Sequence, residues 1–160
     1  MNKQKKLVLA SMILAAVLVL LLAVMAIYKY IAPSNEKKDL NTVFKLGKSE
    51  VALILDGKRQ ETKGITVDKE IYVPADIAAK AMDQRIYVDK QEGILSYVTS
   101  KGVIQAKTDA VSYQIMKETK ETEKPILIKK DKNYYVSLTF IGEHASCYYK
   151  AYTSPSRLFI

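Results

Sequence analysis

The sequence has very few of the residues on which most catalytic and metal centres depend. It contains one cysteine, Cys147, one histidine, His144, and no tryptophan. One cysteine excludes an intrachain disulfide, and His144 with Cys147 supplies too few ligands for a zinc site. The sequence also lacks a glycine-rich phosphate loop, and no nucleophile motif lies near His144. It therefore predicts no catalytic residue, no cofactor and no metal site.

Acidic residues are missing from the first part of the chain, where the first one is Glu36. Four lysines lie in this acid-free part: Lys3, Lys5, Lys6 and Lys29. Without them the chain carries 21 basic and 17 acidic side chains, a net charge of +4 that is spread along the sequence. Such a modest and interspersed charge argues against nucleic acid as a partner. Weak attraction to anionic cell-wall polymers stays open.

Residues 7–27, "LVLASMILAAVLVLLLAVMAI", contain no charged side chain. A helix of this length spans roughly 31 Å, close to the thickness of the hydrocarbon core of a membrane. Lysines precede the segment, and Tyr28 and Tyr30 follow it at the depth of the membrane interface. The segment is expected to contact the lipid bilayer as a transmembrane helix.

A cleaved signal peptide is the alternative interpretation of this segment. Signal peptides have shorter apolar regions and a small-x-small cleavage site, which Ala23-Val-Met-Ala26 matches poorly. The positive-inside rule then predicts a cytoplasmic tail over residues 1–6 and a transmembrane signal anchor over 7–31. We expect a single-pass protein of the cell membrane, with the bulk of the chain outside the cytoplasm.

The exterior part repeats one phrase. Residues 71–83 read "IYVPADIAAKAMD" and residues 134–146 read "YYVSLTFIGEHAS". In each copy a β-prone pair runs into a helix-starting residue, Pro74 or Ser137, and an apolar helical stripe follows. We expect a linker over 32–45 and one domain over 46–160, built from repeats at about 48–98 and 108–160.

Short apolar bursts and turn signals define the elements of this domain. Hairpins are expected at Asp56-Gly57, Asp68-Lys69 and 91–93, and helices over 75–83 and 138–146. In the second copy, strands are expected near 111–116, 126–129 and 134–136, and a final hairpin at "TSPS"; the charged stretch 117–124 is expected to be a solvated loop. The fold class is α+β: one transmembrane helix, then two repeated, mostly antiparallel β units, each packing on one short helix.

Nine tyrosines lie in the exterior part, where they can either pack in strands or stack on sugar rings. Alternation sends about half of the side chains of a strand to each face. Adjacent tyrosines at 134–135 and 148–149 are therefore expected to have one exposed member each. We select Tyr135, Tyr149 and Tyr97 as candidate contacts with cell-wall polysaccharide or peptidoglycan.

The phrase "YVPADIAAKAMDQRIYVDKQEGILSY", with its second copy "YYVSLTFIGEHASCYYKAYTSPSRLFI", resembles the copper amine oxidase N-terminal-like domain. The resemblance covers about 48–160 and implies a small antiparallel sheet wrapped around a helix. The layout of tail, helix and repeats is similar to the N-terminal part of membrane-anchored family-18 (chitinase-like) glycoside hydrolases of Gram-positive bacteria. Copper amine oxidase chemistry needs several histidines, and family-18 chemistry needs a "DxxDxDxE" series; this sequence has neither.

The sequence thus predicts a non-catalytic, membrane-anchored extracytoplasmic stalk or interaction module. The alternative is the anchor-and-stalk portion of a longer cell-surface glycoside hydrolase, whose catalytic domain would lie beyond Ile160. In either case we expect no enzyme activity from residues 1–160.

Overall fold

The computed structural model describes residues 3–31 and 40–160, which fall into two units divided between residues 38 and 39. The first unit contains helix α1, Lys3–Ile31. Its segment Ser11–Ile31, 21 residues, is long and apolar enough to cross a membrane. The predicted anchor over 7–31 is therefore helical throughout, and residues 1 and 2 of the predicted tail lie outside the described residues.

The predicted linker is described only from residue 40 onward, and its residues 32–39 lie outside the described part. Residues Leu40–Phe44 form a short helix, α2, where the sequence had indicated an irregular segment. The guanidinium of Arg59 donates hydrogen bonds to the carbonyl oxygens of Val43 (3.2 Å) and Phe44 (2.5 Å). Because these bonds hold the end of α2 against the β domain, residues 40–44 belong to the domain.

The domain contains thirteen strands in two sheets. The strands of the first sheet are β1 (Glu50–Leu55), β2 (Lys58–Arg59), β3 (Gly64–Val67), β4 (Glu70–Pro74), β10 (Leu127–Lys130), β11 (Asn133–Ser137), β12 (Lys150–Thr153) and β13 (Ser156–Phe159). The strands of the second sheet are β5 (Ile86–Asp89), β6 (Ile94–Thr99), β7 (Gly102–Lys107), β8 (Ser112–Ile115) and β9 (Glu118–Glu121). The first sheet runs in the order β10-β11-β4-β3-β1-β13-β12, with β2 paired to β1, and the second follows chain order.

The two copies of the repeated phrase meet in the interior of the first sheet. Strand β4 of the first copy pairs antiparallel with β11 of the second, with Val73 opposite Val136. Each of these strands also forms a hairpin with its predecessor, β3 or β10. The α+β prediction is confirmed, and the copies share one continuous sheet, which the sequence pattern had not indicated.

The same two-residue turn closes both hairpins. Asp68-Lys69 and Asp131-Lys132 have positive φ at all four residues, from 47° to 68°. Two-residue hairpin turns with positive φ at both residues match the right-handed twist of the strands they join. Aspartate adopts positive φ more readily than most residues. Strand β1 likewise pairs antiparallel with β2 across Asp56-Gly57, so the predicted hairpins at Asp56-Gly57 and Asp68-Lys69 are both confirmed.

A short helix follows each central strand, as predicted. Helix α3 (Ala75–Ile77) begins after Pro74 and continues as a π-helical stretch, Ala78–Met82. Helix α4 (Leu138–His144) begins after Ser137, whose Oγ accepts a hydrogen bond from the backbone N–H of Phe140. The starting residues expected from the sequence therefore begin both helices.

The main hydrophobic core lies between the two sheets and the helices. It combines inward-facing residues of the first sheet, such as Val73 and Val136, with Leu95 and Ile104 of the second sheet and Ile141 of α4. Helix α4 contacts both β4 and β11. Neither copy therefore buries its apolar surface alone, and each contributes to a single core.

Two strands of the second sheet were not expected from the sequence. Strand β7 lies between the predicted repeats and pairs with both β6 and β8. Strand β9 occupies half of the predicted loop 117–124; all four of its residues are exposed, as expected of a solvated segment, but it pairs with β8. The loop prediction was wrong because a strand at the edge of a sheet can be exposed on both faces. The polar Glu, Thr and Lys side chains of β9 can therefore form a strand without an apolar face.

The opposite face of the first sheet carries a second, smaller core of Ile65, Tyr72, Ile128 and Tyr135. These residues form two pairs that are 63 positions apart, the same offset as the repeated phrase. We call this side of the first sheet the outer face, because the main core with its helices lies on the other side.

A buried carboxylate ties the second helix to the first copy. Glu70 at the start of β4 is only 9% exposed. Its carboxylate oxygens accept hydrogen bonds from the Ser137 hydroxyl (2.7 Å) and from the backbone N–H (3.0 Å) and hydroxyl (2.9 Å) of Thr139. Glu70 thus supplies a cap for α4 from across the sheet.

Replacing Glu70 should test this cap. In Glu70→Ala the donors of Ser137 and Thr139 lose their acceptor inside the protein, so we expect a loss of about 1–3 kcal/mol in the free energy of unfolding, measured with urea. The exposed Glu61 is the matched control, and Glu61→Ala should change stability by no more than about 0.5 kcal/mol. Equal losses in both variants would contradict the capping role.

Candidate functional site

Tyr97 was predicted to contact a ligand, but it belongs to the core. Its side chain is 1% exposed, and its hydroxyl lies 2.7 Å from the carbonyl oxygen of His144 and 3.0 Å from Asp83 Oδ2. Burial, followed by the hydrogen bond with Asp83, raises the pKa of Tyr97 to about 12. The prediction that Tyr97 is an exposed contact is wrong, because its strand turns this side chain toward α4.

Tyr135 is also mostly covered. The expectation that one member of each tyrosine pair is exposed fails here, since Tyr134 is 7% and Tyr135 9% exposed. The two side chains do point to opposite faces, as alternation requires, but both faces of the first sheet carry a core. Burial raises the pKa of Tyr135.

In the second tyrosine pair, at 148–149, the exposed residue is Tyr148 and not the selected Tyr149. Tyr148 is 87% exposed, whereas Tyr149 is half-buried against the main core. Its hydroxyl lies over Gly142 of α4, where an added Cβ would clash with it. The structure therefore does not bring the three candidate tyrosines together on one surface.

A cleft lies between α4 and the β8–β9 hairpin. It has a volume of about 560 Å³, and its titratable lining residues include four glutamates, one lysine and the single histidine: Glu70, Glu121, Glu123, Glu143, Lys124 and His144. Glu70 is already bound by three donors, and the His144 ring packs 4.7 Å from that of Phe140. Within the described residues no three His, Cys, Asp or Glu side chains are placed to hold a metal ion.

Cys147 follows α4 and is half-buried beside the core. Burial raises the pKa of its thiol. Because the thiolate is the nucleophilic form, this shift makes the cysteine less reactive.

A different group of side chains stands out on the outer face of the first sheet. Lys150 and Tyr152 on β12 pair with Phe159 and Arg157 on β13. The Lys150 Nζ lies 5.3 Å and the Arg157 Cζ 4.6 Å from the centre of the Tyr152 ring. Two cations therefore rest on one aromatic ring, an arrangement stabilised by the ring quadrupole.

A third cation extends this group. Phe159 lies opposite Ile54 of β1, which in turn lies opposite Arg59 of β2. Arg59 packs over the ring of Phe44 at 5.7 Å. We call Lys150, Arg157 and Arg59 the cationic row. Sequence reasoning missed it because Arg59 is far from the other two along the chain; the alternation of "KAY" and "RLF" was the available signal.

The Asp83–Arg85 pair beside Tyr97 gives a pH-dependent prediction. Arg85 binds Asp83 through two nitrogens, Nε (3.0 Å to Oδ1) and Nη2 (2.6 Å to Oδ2). These bonds lower the pKa of Asp83 from 3.8 to about 2. A carboxylate with a lowered pKa stabilises the folded state above its unfolded pKa and loses that contribution as the pH falls through its folded pKa.

We therefore expect Asp83→Asn to be less stable than the wild type at neutral pH, with a difference that shrinks as the pH falls from about 4 toward 2. Urea unfolding at several pH values measures this difference in the free energy of unfolding. Titration of the other carboxylates contributes equally to both proteins and therefore does not affect the difference. A difference that stays constant over this range would contradict the assignment.

Comparison with known proteins identifies the β domain. The family model of the copper amine oxidase N-terminal domain matches residues 54–151, more than half of the chain. No curated protein and no solved structure matches the chain. The matched range includes α3, α4 and the whole second sheet. A domain of this type is a non-catalytic module. The chain belongs to the copper amine oxidase N-terminal domain family.

Proposed function

We propose that this chain is a single-pass membrane protein whose β domain acts outside the cytoplasm as a non-catalytic stalk or interaction module. The observation that carries the proposal is the combination of two units: an apolar helix of membrane-spanning length and a domain of a non-catalytic family. In this role α1 fixes the chain in the lipid bilayer and the domain presents its surfaces to extracytoplasmic partners.

The distribution of charge supports the orientation. Lysines 3, 5 and 6 precede the apolar segment, and the first acidic residue follows it. Positive residues next to a membrane helix favour the cytoplasmic side, so the amino terminus would be cytoplasmic and the β domain extracytoplasmic.

Contact with cell-wall polysaccharide or peptidoglycan is part of this proposal. Of the three tyrosines selected from the sequence, Tyr149 alone keeps partial exposure. Stacking on sugar rings is better supported for Tyr148 and Tyr87, which are 87% and 65% exposed. No nucleic-acid partner is proposed, because the net charge of +4 outside the acid-free amino-terminal part is modest and spread along the sequence.

A second candidate is the anchor-and-stalk portion of a longer cell-surface glycoside hydrolase. The order of an apolar helix followed by this domain favours it. The domain would then hold a catalytic part, encoded beyond Ile160, away from the membrane.

Cysteine labelling on intact cells tests the topology. In a Cys147→Ala background, a cysteine replaces the exposed Lys117 beside β9 or, as the control, the exposed Gln4 in α1. A membrane-impermeant maleimide should label Lys117→Cys on intact cells, and it should label Gln4→Cys only after permeabilisation.

The opposite pattern, or protection of both positions, would contradict the proposed orientation. If the substitutions are made in the chromosomal gene, the same gel separates the two candidate functions. A labelled band near 18.0 kDa supports a free-standing module, and a much larger band supports the stalk of a longer enzyme.

A further inference from the structure

We propose that the cationic row binds the phosphodiester groups of an anionic extracytoplasmic polymer. This rests on the proposed function as an interaction module and names the chemistry of its partner. Lys150 and Arg157, which share the Tyr152 ring, form one end of the row, and Arg59 on β2 forms the other.

The positive charges of Lys150 and Arg157 are available to an anionic ligand. The ion pairs in the described part of the chain are Lys63–Glu50 and Arg85–Asp83, so neither Lys150 nor Arg157 is neutralised by a carboxylate there. Lys150 is exposed, and the hydrogen bond with Tyr152 is the largest of the effects that raise its pKa. This raised pKa keeps Lys150 protonated at neutral pH.

The packing of Lys150 and Arg157 on the Tyr152 ring favours the binding of an anion. Two like charges held near one ring repel each other, and an anion placed between them relieves this repulsion. Because the ring and the paired strands restrict the side chains, less conformational entropy is lost on binding than for free lysine and arginine side chains.

The chemistry of the pair favours phosphate. Arginine can donate two parallel hydrogen bonds to phosphate oxygens, and lysine binds phosphate as a point charge. A tetrahedral phosphodiester can therefore contact both residues at once. Sugar rings linked by such groups would also find the exposed Tyr148 a short distance along the chain.

The geometry of the row favours a polymer. Lys150, Phe159, Ile54 and Arg59 lie opposite one another on four neighbouring strands. With a strand spacing of about 4.8 Å, the backbones of Lys150 and Arg59 are about 14 Å apart. A linear chain of repeated anions can follow this line across the outer face, with one anion beside Lys150 and Arg157 and another beside Arg59.

Binding of a fluorescent poly(glycerol phosphate) by the full chain in neutral detergent micelles tests the proposal. We expect Lys150→Gln/Arg157→Gln to weaken binding about tenfold and to reduce its dependence on salt. The matched control is Lys80→Gln/Lys101→Gln, which removes the same charge from exposed sites on other elements; it should change affinity by no more than about twofold. Thermal unfolding of each variant reports whether the fold is intact.

The aromatic seat gives an independent pair of variants. Tyr152→Phe keeps the ring and should retain most of the binding, whereas Tyr152→Leu removes the ring and should weaken it. Equal affinity of these two variants would overturn the role of the ring in placing the cations.

Three further outcomes would overturn the proposal: no binding by the wild type, equal loss in the two double variants, or equal binding of an uncharged dextran. Nanodiscs distinguish the polymer from lipid headgroups, which carry the same phosphodiester chemistry. We expect polymer binding in discs with and without phosphatidylglycerol, and loss in the anionic discs alone would assign the row to headgroups instead. Because cysteine labelling reports the topology separately, failure of polymer binding would leave membrane anchoring standing.

Discussion

The pairing of β4 with β11 is the constraint on which the rest of the domain depends. It joins the two copies of the repeated phrase by backbone hydrogen bonds in the interior of the first sheet. Each strand leads directly into its helix, so the pairing also brings α3 and α4 to the same core. Glu70 reinforces this arrangement by capping the helix of the other copy. The final hairpin then returns to the beginning of the domain, where β13 pairs with β1 in parallel.

This architecture determines which surfaces can serve function. The inner side of the first sheet is buried in the main core, and Tyr97 of the second sheet is buried in the same core. On the outer face, Tyr72 and Tyr135 cover the centre, and the cationic row lies toward the β12 edge. A lysine on an edge strand also protects it from pairing with other chains, so Lys150 can serve both stability and binding.

Local sequence signals predicted the elements well, because they act over few residues. Turn dipeptides such as Asp56-Gly57, the starting residue Ser137 and the uncharged run of α1 each fix the backbone near their own position. The relation of the copies could not be predicted, since a repeat does not specify whether its strands pair within or between copies. The same limit applies to the candidate site residues: alternation assigns Tyr135 to a face, but only the tertiary structure shows that this face is also covered. The cationic row depends on strands brought together from both ends of the domain, a contact that periodicity does not report.

The central claim is that the two copies fold as one domain. Its most direct test is to produce residues 40–100 and 101–160 as separate fragments, divided in the turn between β6 and β7, and to record amide NMR spectra of each alone and of their mixture. Because β4 needs β11, β6 needs β7 and β1 needs β13, we predict poorly dispersed spectra for each fragment and recovery of a folded spectrum in the equimolar mixture. Well-dispersed spectra of either fragment alone, unchanged by the other, would contradict the claim.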